Sequence, residues 1–146
     1  MSMYTTNKLF SVQDASKLLP DLSVMIDEFR DRKNIFLVLN EEVKELTKIV
    51  EVEEYRKEEL YRKKRILKAT AAELENLILQ INNLGCHLKD PDTGLVDFIS
   101  LYKGKKVFLC WRQGEEEITW YHEINSGFAD RKTIEFPDEF KNNSAE

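Results

Sequence analysis

From Leu22 onward, large apolar residues recur in alternating steps of three and four: Leu22, Met25, Phe29, Phe36, Leu39, Val43, Leu46 and Val50, with Arg32 the one polar member of the series. That spacing winds a single stripe along a helix, as at the seam of a coiled coil. A second series follows through Arg56, Leu60, Lys63, Leu67, Thr70, Leu74, Leu77, Ile81 and Leu84. Gly85 comes next, the residue type suited to a left-handed helix stop. One unbroken helix from Asp21 to Leu84 would run about 95 Å. Folding back at a turn near residues 49–53 instead lets the two stripes bury each other. The spacing therefore predicts a long antiparallel, coiled-coil-like helical hairpin. Arg56 and Lys63 make the second stripe polar toward the turn, which predicts a solvated stalk rather than core at the tip. Arg32 reads as a register device, or as a side chain whose stem carries its charge to solvent.

The flanks have their own punctuation. In "FSVQDASKLLP", Ser11 caps a helix and Asp14, three residues on, reaches back to complete a capping box. Pro20 kinks or restarts that helix, with Asp21 as a second cap. After Gly85 the period falls to two. "DPDTG" (90–94) is a turn cluster, and "LVDFIS" (95–100), "KVFLCWR" (106–112) and "EITWYHEI" (117–124) read as three strands joined at "YKGK" and "QGEE". Short links predict an antiparallel meander. With Gly114–Glu115 as a two-residue turn, Trp111, Leu109 and Val107 share a face with Ile118, Trp120 and His122. Arg112 then opposes Glu117, Cys110 opposes Thr119, and Lys106 opposes Glu123. The fold class is α+β: a helical hairpin (11–85) and a small three-stranded meander (86–136) in one domain spanning 1–136, then a flexible tail at 137–146, whose end "NNSAE" reads as disordered.

Composition narrows the class. Hydrophobic residues are 42% and charged residues 34% of the 146, a globular chain whose helices each expose a charged face. A net charge of −5 argues against a dedicated nucleic-acid binder. Two cysteines, Cys86 and Cys110, are too few for a disulfide framework and favour a reducing, cytoplasmic setting. No apolar run reaches the roughly 20 residues that span a bilayer, and "MSMYTTNKLF" lacks the apolar core of a signal peptide. No membrane partner is expected.

Several residues invite a chemical reading. His122 closes an apolar face, where a hydrogen-bonded core histidine competes with a base or ligand. As a base it needs an orienting partner; Glu123 points the other way, leaving Asp97, Glu115 or Arg131. Cys86, His87, Cys110 and His122 lack the paired spacing of zinc sites, and Cys110 and His122 fall on opposite faces in the register above, so no metal and no cofactor are expected. Cys110, mid-strand, reads as a buried small hydrophobe. "RKKRILK" supplies a basic tip: Arg62, Lys63, Lys64, Arg65 and Lys68. The order Glu53–Lys57, Glu58–Arg62 and Glu59–Lys63 predicts i,i+4 pairs on a solvated face, leaving Lys64, Arg65 and Lys68 without such acids. "INSGFADR" (124–131) is a turn, not a phosphate loop.

Three stretches, "FSVQDASKLLPDL", "GLVDF" and "LCWRQGEEEITWYHEINSGFADR", resemble an uncharacterised prokaryotic domain-of-unknown-function family (DUF2203-like). Tyr121 stands before His122 where that pattern leads one to expect Trp, with Trp120 one place earlier. The resemblance implies no activity or catalytic residue. It draws attention to Asp97, Trp111, Arg112, Glu115, His122, Gly127 and Arg131. The reading that follows is a non-enzymatic interaction module, acting through helical faces on a protein partner or a second copy. The alternatives are a small-molecule or hydrolytic site around His122, Glu115 and Arg131, and nucleic-acid contact through the basic tip.

Overall fold

A computed structural model describes residues 8–143. The signal-peptide expectation and the expected disorder at the extreme C-terminus fall largely on residues outside that range. Helix α1 (Val12–Ser16) opens on the capping box read from the sequence: Ser11 Oγ accepts from the Asp14 N–H at 3.0 Å and Asp14 accepts from the Ser11 N–H at 3.4 Å. The break falls at residues 17–18, before Pro20. Helix α2 (Leu19–Val50) therefore carries Pro20 and Asp21 in its first turn, where a missing N–H costs nothing and a carboxylate meets the positive end of the helix dipole. After a turn, a short 3-10 segment leads into α3 (Lys57–Asn83). Gly85 ends the helical run with φ 96°, and a Cβ there would meet Lys8 and Phe10.

Among the described residues six strands form one antiparallel sheet: β1 (His87–Asp90), β2 (Leu95–Tyr102), β3 (Lys105–Arg112), β4 (Trp120–Glu123), β5 (Lys132–Thr133) and β6 (Phe140–Lys141). Their order is β1-β2-β3-β4-β5, and β6 pairs with the far end of β2. The three-stranded meander is thus an underestimate. β1, β5 and β6 are two to four residues long, too short for a period-two pattern to declare itself. Part of the expected tail belongs to the sheet: Pro137–Glu139 form a 3-10 turn and Phe140 is buried, its ring stacked on Tyr102 at 4.4 Å. At the β2–β3 turn, Lys103 and Gly104 both have positive φ, as a two-residue hairpin turn of primed type requires.

The chain divides into two compact units. The first comprises residues up to Ile26 and from Gln80 onward. Its core gathers Phe10, Leu22, Ile26 and Ile81 against Val96, Phe98, Val107, Leu109 and Trp111. The second is Asp27–Leu79. The middle parts of both predicted stripes line its inner side, while Leu22, Met25, Ile81 and Leu84 belong to the first unit's core, and coverage is uneven. Val43, Leu46 and Leu60 are buried near the turn, whereas Phe29, Phe36 and Leu39 are only partly covered. The tip therefore holds a small core where the sequence predicted a solvated stalk. Lys63 swings out to Glu42 (2.7 Å) and Arg56 to Glu59 (3.0 Å), clearing room for Leu60. The expected i,i+4 pairs give way to this cross-helix bond and to Lys57–Glu54 at i,i+3. Arg32 reaches Glu73 at 3.0 Å, both half-exposed. No helix among the described residues is long and apolar enough to cross a membrane.

Candidate functional site

The β3–β4 register is one residue away from the sequence reading. Phe108 pairs with His122, Leu109 with Tyr121 and Cys110 with Trp120. The connection is not a two-residue turn; it runs from Gln113 to Thr119. Its shape follows from Glu115. The Glu115 carbonyl accepts the Trp111 indole N–H at 2.9 Å, and its carboxylate accepts the Arg112 N–H at 2.7 Å. The same carboxylate holds the Arg131 guanidinium at 3.2 Å. A shift of one residue moves every side chain to the opposite face. Trp111 and Trp120 consequently lie on opposite faces, and the predicted Arg112–Glu117 and Lys106–Glu123 cross-strand pairs do not form. Glu123 meets Lys132 instead, at 3.4 Å.

The same shift brings Cys110 and His122 onto one face, contrary to the sequence reading. Asp97 pairs across β2–β3 with Cys110, and His87 across β1–β2 with Asp97. Asp97, Cys110 and His122 are 1%, 0% and 3% exposed. Their potential ligand atoms all lie within 4.8 Å of one another. His122 Nε2 sits 3.2 Å from both Asp97 carboxylate oxygens, and Nδ1 sits 2.8 Å from the Glu123 carbonyl. Both ring nitrogens thus face acceptors, which fits a ring protonated at both. Burial opposes that charge, but the hydrogen bonds to Asp97, Cys110 and the Glu123 carbonyl outweigh it and raise the pKa from 6.5 to about 10. Burial has the upper hand at His87, lowering its pKa against the pull of Asp97. The Phe108 ring lies between the two histidines, 5.3 Å from His122 and 6.2 Å from His87.

The other candidates form a second grouping. Arg131 lies over Trp120 at 4.6 Å and over Phe128 at 4.0 Å, its charge held by Glu115. Arg112 approaches Phe128 from 5.9 Å. Trp111 points into the core on the opposite face. Of the trio once grouped as a hydrolytic site, Glu115 and Arg131 pair with each other and His122 pairs with Asp97. At the tip, Lys63 is paired, while Arg62, Lys64, Arg65 and Lys68 make no ion pair among the described residues. Sequence reasoning offered Asp97 as one possible partner for His122. It weighed Cys110 beside His122 and set it aside, because the register it assumed put the two on opposite faces.

The sequence pattern of the family described as "Uncharacterized conserved protein (DUF2203)" matches residues 8–134. The chain belongs to that family. Within DUF2203 the match takes in α1 to β5 and every member of both groupings, and it assigns none of them a role. No curated protein and no solved structure matches the chain.

Proposed function

We propose that this member of DUF2203 is a non-enzymatic interaction module that pairs with a second copy of itself through the unit Asp27–Leu79. One observation carries the reading. An open apolar groove on that unit is lined by Phe29, Leu74, Ile78 and Leu79, with Glu75 its single charged member. Leu79 is 59% exposed, and Leu37 and Val38 on α2 are 52% and 60% exposed. Two helices side by side cover one stripe each and leave aromatic seam residues such as Phe29 and Phe36 open at the flanks. An exposed apolar groove of this kind marks an association site. A second copy is the simplest occupant, because a two-fold interface needs one patch that complements itself. Laid against this one, it would complete a four-helix arrangement over Phe29, Phe36 and Leu39.

Sedimentation equilibrium across a dilution series tests the reading. The expected result is a reversible dimer that Leu79→Glu weakens at least tenfold while far-UV circular dichroism stays unchanged. A monomer at every concentration overturns it.

A further inference from the structure

Independently of self-association, the geometry points to a second property, in the sheet unit: Asp97, Cys110 and His122 form a binding site for one divalent transition-metal ion of the zinc class, seated between β2, β3 and β4. Three adjacent strands each contribute one ligand-bearing side chain to one face. Asp97 and Cys110 are directly opposite, and His122 is two residues along from Cys110's own partner, Trp120, and so on the same face. The carboxylate oxygen, thiol sulfur and imidazole nitrogen converge within 4.8 Å. A tetrahedral ion with bonds of about 2.0–2.3 Å holds its ligand atoms roughly 3.3–3.8 Å apart, so the 3.2 Å between His122 and Asp97 opens slightly and the widest separation, up to 4.8 Å, closes by about 1 Å. A mixed oxygen, sulfur and nitrogen set suits zinc better than magnesium or calcium, which prefer oxygen alone.

Two further features belong to a ligand site more than to a core. The Glu123 carbonyl accepts a hydrogen bond from Nδ1–H of His122, which aims Nε2 at the centre of the cluster, the second-contact arrangement by which proteins orient a metal-binding histidine. The Asp97 carboxylate offers about four lone-pair directions. Among the described residues it fills them only with the two 3.2 Å contacts to one nitrogen. As a device for stability alone this is poor design, since a buried ion pair seldom outperforms apolar residues of the same volume. Binding releases the Nε2 proton of His122 and the Cys110 thiol proton to solvent, and a zinc ion bound to one carboxylate, one thiolate and the neutral imidazole leaves the buried cluster with zero net charge. Three protein ligands leave one tetrahedral position for a small molecule such as water.

The test uses the reduced full-length protein, stripped with a chelator and titrated with Co2+ as the spectroscopic probe, with refolding in its presence as a second loading route. The expected result is one equivalent bound, with a thiolate-to-cobalt charge-transfer band and intense tetrahedral visible absorption, both erased by Zn2+. Cys110→Ser loses the charge-transfer band and Cys86→Ala keeps it. Failure of the wild-type protein to bind one equivalent by either route overturns the proposal, as does a band that survives Cys110→Ser. If Cys110→Ser does not fold, melting decides: Zn2+ raises the wild-type Tm by several degrees and leaves that of Asp97→Asn unmoved. Equal rises in both proteins, or none in either, overturn the proposal.

Discussion

Cys86 shows how one buried side chain ties the sheet unit to pH. It is fully buried behind Gly85, its thiol turned toward the Ile81 carbonyl at 3.6 Å. Burial pushes its pKa from 9.0 up to about 12. The thiol therefore keeps its proton in the folded state at pH values where the unfolded chain gives it up. This contribution is fully present below pH 9 and is lost as the pH rises from 9 toward 12. Urea unfolding at pH 8 and pH 10.5 is expected to show lower stability at the higher pH, with a smaller drop in Cys86→Ala. Native-state iodoacetamide labelling of Cys86 is expected to be slow, because the thiolate is the reactive form. Residue-scale features written in local sequence were legible: the Ser11–Asp14 capping box, the Gly85 stop and the turn ending in Gly94 each depend on neighbours a few positions away. Cys110 was not legible, because its surroundings come from strands more than ten residues distant.

Among the elements, the helices were read well and the β3–β4 connection was not. A helical stripe is set by its own spacing, whatever it packs against. The register of a hairpin depends on its loop, and this loop is shaped by Glu115, whose partner Arg131 lies 16 residues on. Alternation alone accepts two registers, because Ile118 and Trp120 fall on one parity and Tyr121 on the other. The same residue yields a test. Glu115→Ala removes a charge-assisted acceptor from the Arg112 N–H and the counter-charge that holds Arg131 over Trp120. A loss of about 1–2 kcal/mol is expected on thermal or denaturant unfolding. Glu116→Ala, on the same loop without those bonds, serves as the control and is expected to change stability by less than about 0.5 kcal/mol.

Over the whole molecule, apolar burial is divided unequally. The sheet unit has a continuous core from Phe10 to Phe140, whereas the unit Asp27–Leu79 has one small buried cluster at Val43, Leu46 and Leu60. Native-state hydrogen exchange is expected to show the slowest amides in β2 and β3 and much faster exchange in α2 between Phe29 and Leu39, where local opening exposes little extra apolar surface. Uniform protection across both units would contradict this. The two-part organisation was not legible in the sequence, because α2 and α3 each run across the boundary with no Gly, Pro or change of period to mark it. The two units also differ in what synthesis must deliver before each can settle. Asp27–Leu79 is one uninterrupted stretch whose partners are all present once Leu79 has been made. The other unit is built from the segments on either side of that stretch. The Phe10 N–H donates to the Ile99 carbonyl, and Phe140 closes beside Tyr102, so Phe10 waits for a strand made after both long helices. Long loops must close before those contacts form, which is slow. The order of assembly thus follows from the connectivity: the inserted helices have all their partners before β2 has been made, and the sheet closes later.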